Sequence, residues 1–446
     1  MNQLLDEITT GGYRAFRALI PEPHDRIPVA PSTIIIAAAA SLPFAFLAAM
    51  SRRPGTYAIR LLLLPTTIIS ILKVAFGYAW MTPMLNVYNW GQCLLAEVLI
   101  AKALEFTFTK EGMLKRDEIR PGQLRKAHSD HDSNGSATSD QPELRIDASL
   151  VTDAIDVAHT MRGLSYQYSA GGHVPPHTRP LERRAFLGAT FRSFITNFLV
   201  LDLLETFLKF FPNVGSPSGG SMFYPTLPLV TRYIVSTVIH VVTGTCLLAG
   251  FGMVYDLITF LAVGVVNSSP LRWPPIMENP WISQSMHEFW GVRWHQLLRQ
   301  TFLAFGGYPL EYVFKCLHLP SDFGMVLGVF LASALFHECS IYSMGKGFDP
   351  APVIFFLTQV LVLAAERIWR HVTGRRVGGW PGTLWVYTIL FFGAQPMIDS
   401  WHRRGLGGGL IIPPFISPAR LALVPLIKRI LVSFPAPTQF QTVHHS

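Results

Sequence analysis

Apolar stretches long enough to cross a bilayer recur along this chain. They lie near residues 30–50, 58–81 and 87–108, then at 186–211 and 227–266, and finally near 297–317, 323–344, 352–370, 381–400 and 410–432. A helix needs about 20 apolar residues to span a hydrocarbon core roughly 30 Å thick, and most of these stretches approach that length. The 227–266 run is long enough for two crossings. With no water to satisfy backbone groups in the bilayer, helices are the natural solution. The pattern therefore predicts an all-α, polytopic integral membrane protein with roughly eight to ten transmembrane helices and no substantial sheet. Two polar stretches interrupt it. Residues 110–185 are hydrophilic, and His128–Gln141 (HSDHDSNGSATSDQ) is too polar to pack a core, so that part is expected to be disordered. Asn267–Trp294 is proline-rich, and its Ser-Ser-Pro, Trp-Pro-Pro and Asn-Pro steps are turn signals. Residues 1–446 read as a single membrane-embedded domain interrupted by the partly disordered 110–185 loop. Leu4, Leu5, Ile8, Phe16, Leu19 and Ile20 predict an interfacial helix that stops before Pro21. Asp6, Glu7 and the lack of an apolar core there argue against a signal peptide.

Composition supports the bilayer as solvent. Half of the 446 residues are hydrophobic and only 14% are charged, where soluble domains carry about a quarter. The net charge of +8 is dispersed, with no basic cluster interleaved with aromatics. Nucleic acid is accordingly set aside as a partner, and membrane lipids are the expected surroundings. Cys93, Cys246, Cys316 and Cys339 are far apart in apolar contexts, with no CxxC or Cys/His ligand spacing. Buried, reduced thiols are expected, and no metal site. Lys73, Glu97, Lys102 and Glu105 fall inside apolar stretches. Charge is costly at that depth, so their faces should point into protein or water.

The same cost singles out the 323–344 stretch, where Leu331-Ala-Ser-Ala-Leu-Phe-His-Glu338 places His337 and Glu338 well inside an apolar helix. Ser333, four residues before His337, shares its face. A structural histidine bridging helices is the competing reading. A second cluster is Met286-His-Glu-Phe-Trp-Gly-Val-Arg-Trp-His-Gln-Leu-Leu-Arg299, which runs from the polar stretch into the next apolar one. An aromatic belt with snorkelling arginines accounts for its tryptophans. It does not account for His287, Glu288, His295 and Gln296. Neither His-Glu pair is a zincin motif, because Gly291 and Ile341 stand where HExxH needs its second histidine. GxSxG and GxxxxGK[ST] are absent as well. Base chemistry by histidine remains: a neutral imidazole takes the proton of an alcohol as it attacks an activated acyl group, and a thioester needs no metal.

Phe289-Trp-Gly-Val-Arg-Trp-His-Gln296 with Leu298-Arg299, and Ser333-Ala-Leu-Phe-His-Glu338, resemble the membrane-bound O-acyltransferases, in particular their wax synthase-like branch. Arg162-Gly163-Leu164 is similar to a weaker element of the fungal members. The resemblance implies that His337 is the intramembrane catalytic histidine and that His295 is the second active-site polar residue, which is Asn or His in the family. Val292 stands where the family commonly has arginine, and Ala334 where glycine is frequent. The nearest fixed cations to His295, Arg293 and Arg299, together with Trp294, are candidate contacts to the acyl donor, since guanidinium suits phosphate.

The layout is most similar to fungal acetyltransferases of terpenoid and meroterpenoid pathways. That implies acetyl-CoA as co-substrate, no tightly bound cofactor, a lipophilic alcohol as acceptor and an endoplasmic reticulum membrane, with the oligomeric state open. Two alternatives stand beside it. One is a long-chain wax-ester or sterol acyltransferase with the same histidines. The other is a proton-coupled transporter in which His337 and Glu338 relay protons, although no duplicated half supports it.

Overall fold

The computed structural model of the chain describes residues 2–124, 149–169 and 172–433. The 128–141 segment expected to be disordered lies outside them. The described residues are largely helical. Helix α1 (Asn2–Leu19) stops just before Pro21. The first apolar stretch is bent at Ala40–Ser41 into α2 (Pro31–Ala39) and α3 (Leu42–Ser51), and α4 (Tyr57–Gly77) and α5 (Asn86–Phe108) follow. Strand β1 (Ile27–Pro28) pairs in parallel with β2 (Tyr78–Ala79), tying the N-terminal approach to the end of α4.

Part of the hydrophilic segment is firmly docked. Its hairpin β3 (Glu118–Arg120) and β4 (Gln123–Leu124) meets the end of α3, where the Arg52 guanidinium donates to both Glu118 oxygens at 2.6 and 2.7 Å. Burial raises the Glu118 carboxyl. The bonds from Arg52 and from the Lys115 and Gly122 N–H groups outweigh that and hold it below the usual range. Helix α6 (Leu150–His159), capped by the Ser149 hydroxyl, packs on α3.

The 227–266 run is one helix rather than two crossings. Helix α8 (Leu229–Gly264) runs unbroken for 36 residues alongside α7 (Arg183–Leu208). It holds no proline, and Gly250 and Gly252 abut Leu201 and Asn197 of α7 instead of breaking the chain. At about 1.5 Å per residue it is roughly 54 Å long, so it tilts or projects beyond the hydrocarbon core.

The opposite correction applies to the 297–317 stretch. It is no single helix but a series: α9 (Met286–Glu288), a π turn over Phe289–Arg293, a 3-10 turn over Gln296–Leu298, α10 (Arg299–Phe302), a second π turn over Leu303–Gly307, and α11 (Tyr308–Cys316). Helices α12 (Ser321–Tyr342) and α13 (Pro350–Thr373) are continuous. The 381–400 stretch is α14 (Gly379–Thr388), a π turn over Ile389–Gly393 and α15 (Gln395–Arg403). The 410–432 stretch holds a 3-10 turn over Pro414–Ile416 and then a π turn over Ala419–Leu423, which leads into α16 (Val424–Ser433).

Six described helical stretches are long and apolar enough to cross a membrane: Pro31–Ser51, Tyr57–Gly77, Arg183–Leu208, Leu229–Gly264, Ser321–Tyr342 and Pro350–Thr373. The protein is thus an all-α, polytopic integral membrane protein. Helix α12 is its axis: 56% of its apolar window is buried, against 17–33% in the other five. A helix apolar on every side is one enclosed by others, and α12 packs against α5, α11, α13 and the 303–307 turn. The last contact is backbone on backbone. A Cβ on Gly328 would lie 2.1 Å from the Gly306 carbonyl oxygen, and one on Gly306 would lie 2.0 Å from that of Gly328.

Charged residues in the apolar stretches divide. Lys102 is buried and donates to the carbonyls of Val157 and Thr160, and Glu105 accepts from Gln300. Lys73 instead stays on an exposed face four residues from the end of α4, where a long side chain can snorkel. Cys93 is buried and Cys246 half-buried, whereas Cys316 and Cys339 are exposed, contrary to the burial expected. In a bilayer an outward-facing thiol meets lipid, so an apolar context does not imply a protein core.

Candidate active site

A cavity of about 420 Å³ opens inside the bundle among α8, the 286–303 segment, α12, α13 and the α14–α15 pair. Its wall is mostly aromatic and aliphatic. The polar side chains on it include His240, His287, His295, Arg299, Ser333 and His337. His295 and His337 therefore face one space, although 42 residues separate them in sequence.

Helix α12 delivers His337. Its imidazole lies flat on Phe356 of α13, with centroids 4.7 Å apart and planes 4° from parallel, and tilts against Trp401 at 5.9 Å. The ring makes no hydrogen bond to any described residue, and the Ser340 hydroxyl donates to the backbone carbonyl at 3.0 Å. Ser333, one turn away, lines the same cavity. Glu338 has a different task. Both of its oxygens accept from Arg404, at 2.6 and 2.8 Å, and one also accepts the Asp349 N–H at 2.9 Å. Successive helical residues point about 100° apart, and Glu338, unlike His337, does not line the cavity.

His295 sits where the helix is broken. Trp294 is extended and His295 is non-helical, between the 289–293 π turn and the 296–298 3-10 turn. The Gln296 amide closes this break by donating to the carbonyls of Trp290 and Trp294 at 3.1 and 2.9 Å. π turns widen a helix and re-aim its side chains, which is how histidine comes to project inward here. The ring packs on Phe251 at 5.7 Å, and its buried Nδ1 has no partner among the described residues.

Helix α13 supports both sides. Glu366 accepts the backbone N–H groups of Met286 and His287 at 2.7 and 3.0 Å, and the Trp385 indole at 3.0 Å. Gln359 accepts the Trp290 indole at 3.2 Å. Phe356, Gln359 and Glu366 share one face of α13. Sequence reasoning did not single them out, nor Arg404 or His240. A Gln and a Glu inside the apolar 352–370 stretch were the available signal.

The two arginines near His295 part company. Arg293 is held by Glu288 at 2.6 Å, donates to the Glu278 carbonyl at 3.0 Å, and does not line the cavity. Arg299 lines the cavity and also a smaller recess with Arg162, Ser169, His173 and Gln300. Trp294 lines the cavity, stacked on Phe289 at 5.2 Å. Arg162 donates to the Pro275 carbonyl and the Tyr255 hydroxyl, both at 2.7 Å, and so clamps the hydrophilic segment over the 267–294 stretch.

Residues 273–358 match the model of the membrane bound O-acyl transferase family, and that stretch holds both His295 and His337. Relatives are similar over longer ranges. The O-Mevalon transferase yanI of Aspergillus niger is 24% identical over 257 residues, 51% of this chain and 56% of that protein. The acetyltransferase eriL of Hericium erinaceus is 25% identical over 272 residues, 57% of this chain and 68% of that protein. A plant protein, "Probable long-chain-alcohol O-fatty-acyltransferase 7" of Arabidopsis thaliana, is 28% identical over 122 residues, 26% of this chain and 36% of its own length. The matched stretches thus take in from about a third to two thirds of these relatives. Both histidines thus lie in the stretch that is similar to the membrane bound O-acyl transferase family, and the relatives that extend the likeness carry transferase names.

Proposed function

We propose that this chain is an acyl-CoA-dependent O-acyltransferase that moves an acetyl group from acetyl-CoA to a hydroxyl of a lipophilic terpenoid or meroterpenoid secondary metabolite, in the endoplasmic reticulum membrane. The observation that carries the reading is His337, whose imidazole faces an apolar cavity shared with His295 and is free of hydrogen bonds to described residues. A structural bridge between helices would have such bonds; a base awaiting a substrate proton would not. In the proposed step His337 takes the alcohol proton as the oxygen attacks the thioester carbonyl. The tetrahedral intermediate expels the coenzyme A thiolate, and the imidazolium returns the proton to that sulfur. His295 and the Ser333 hydroxyl are the cavity's polar groups for the developing oxyanion. Arg299, at the join of cavity and recess, is the proposed contact to the coenzyme, with Trp294 beside it. Arg293 is occupied by Glu288 and serves the loop instead.

Acetyl as the donor rests on the names of the fungal relatives. The plant relative favours a long-chain acyl reading of the same site. The proton-relay reading loses its second member, since Glu338 is locked to Arg404. Membranes containing the chain, given acetyl-CoA and palmitoyl-CoA in parallel, should release free coenzyme A thiol from the acetyl donor when a lipophilic alcohol is present. Mass spectrometry of extracts from cells with and without the gene should show one acetyl added. Release from palmitoyl-CoA alone would favour the long-chain reading, and identical release from a His337→Gln chain would sink the transfer reading.

A further inference from the structure

Two histidines on the cavity wall, His240 and His287, have no part in the transfer step, and of these His240 is the buried one. His240 lies on α8, on the stripe Ser236, His240, Thr243 that faces α15. The outer two residues of that stripe are answered by residues seven apart on α15. The Ser236 hydroxyl donates to Gln395 Oε1 at 3.3 Å, and Thr243 Oγ1 is 2.8 Å from His402 Nε2. Between them no described side chain of α15 hydrogen-bonds His240. Ile398 lines the cavity, and Asp399 is turned to the Ser221 hydroxyl and the Met222 N–H. His240 is 9% exposed, its buried Nδ1 has no partner among the described residues, and its ring packs on Phe391 at 5.6 Å. The polar seam between the two helices is thus bridged by a hydrogen bond at each end and by none at its middle, where the cavity lies. A buried polar group is ordinarily hydrogen-bonded, and since the His240 ring lines the cavity, an occupant there can supply the missing partner.

We propose that His240 is a specificity residue of the acceptor site, hydrogen-bonding an oxygen function (a hydroxyl, ketone or ether) carried by the lipophilic alcohol away from the hydroxyl that is acylated. The identity of that ligand rests on the transfer reading above. Position argues for the alcohol rather than the coenzyme. Phe251, which packs on His295, is eleven residues further along α8, about 16 Å of helix. His240 therefore stands at the end of the cavity away from His295. Phe391 packs on it, and the cavity wall also holds Val241, Leu247, Met397 and Ile398, a lining that suits a polycyclic hydrocarbon rather than a phosphate. A neutral imidazole offers one donor and one acceptor, enough to read a single oxygen on such a skeleton.

The test compares androsterone with its deoxo analogue, the same tetracyclic alcohol without the ring ketone. Each is offered with acetyl-CoA to membranes containing the chain, and kcat/KM is measured for both. Wild type should prefer the keto alcohol by on the order of tenfold. In His240→Phe, which keeps a ring but neither nitrogen, the ratio should fall to about one through a raised KM for the keto alcohol. His240→Gln, which keeps a donor and an acceptor, should retain part of the preference and guards against misfolding in the first variant. No preference in wild type, an undiminished preference in His240→Phe, or a change confined to the KM for acetyl-CoA would overturn the proposal. Thermal shift of the detergent-solubilised chain with the same two alcohols reads binding without turnover. A shift favouring the keto alcohol that depends on His240, in a chain that releases no coenzyme A, would uphold this contact and sink the transfer reading.

Discussion

The imidazole of His337 is stacked on the ring of Phe356, 4.7 Å between centroids and 4° from parallel. Stacking holds the plane of the base while leaving its nitrogens free of hydrogen bonds to described residues. Aromatic pairs contribute about 0.5–1.5 kcal/mol beyond burial, so Phe356→Leu should lower kcat by about two- to tenfold with little change in either KM. Steady-state kinetics on membranes reads this directly. A raised donor KM with normal kcat would assign Phe356 to binding instead.

His337→Gln should lower turnover by about 10²–10⁴-fold, with expression and membrane insertion unchanged. Glutamine keeps hydrogen bonding and comparable bulk but is no base near neutral pH. His295→Ala should also be damaging, and His295→Asn should keep partial function. Coenzyme A release, with fluorescence-detected size exclusion for folding, separates chemistry from stability. A fully active His337→Gln chain would refute the base assignment.

Arg299→Ala should raise the KM for acetyl-CoA and leave folding intact, because its guanidinium lines the cavity and the adjoining recess. Arg293→Ala should do the reverse, lowering the yield of folded protein through loss of the Glu288 pair and the Glu278 carbonyl contact. Equal donor KM values in Arg299→Ala and wild type would remove Arg299 from the coenzyme site.

Glu338 and Arg404 form a buried two-bond ion pair joining α12 to the end of α15. Breaking such a pair from one side leaves a buried charge and costs about 3–5 kcal/mol. Glu338→Gln and Arg404→Met should each lower the midpoint of thermal unfolding in detergent. The double variant should recover much of that loss, since the stranded charge is gone. A midpoint unaltered in both single variants would show the pair to be dispensable.

Glu118 gives an acid limb to stability. Its carboxyl is held below the usual range in the folded chain, so the Arg52–Glu118 contact contributes fully above the unfolded value of about 4.3. That contribution is lost as pH falls through the lower folded value. Unfolding midpoints measured downward from neutral pH should fall less steeply in Glu118→Gln than in wild type. An identical acid slope in the two would mean that the hairpin's docking is not coupled to folding.

Much was legible along the chain itself. Apolar length alone determines that the protein lives in a bilayer as helices, since nothing else satisfies the backbone there. The cost of an ionisable group at depth marked His337, and the two motifs that carried the family resemblance also contain His295. Where a helix breaks was less legible. The 227–266 run is one uninterrupted helix, whereas the 297–317 run opens on a 3-10 turn and contains a π turn, yet both read as apolar length. π turns arise from packing and from closures such as Gln296 on the Trp290 and Trp294 carbonyls, which have no one-dimensional pattern. Partners were equally hidden. Glu338 follows His337 in sequence but belongs to Arg404, 66 residues away, because a helix turns adjacent side chains onto different faces. Tertiary structure alone decided that His240, His295 and His337 look into one cavity. It alone decided which arginine faces that cavity and which is tied to the loop, because such choices depend on what neighbouring helices leave unfilled.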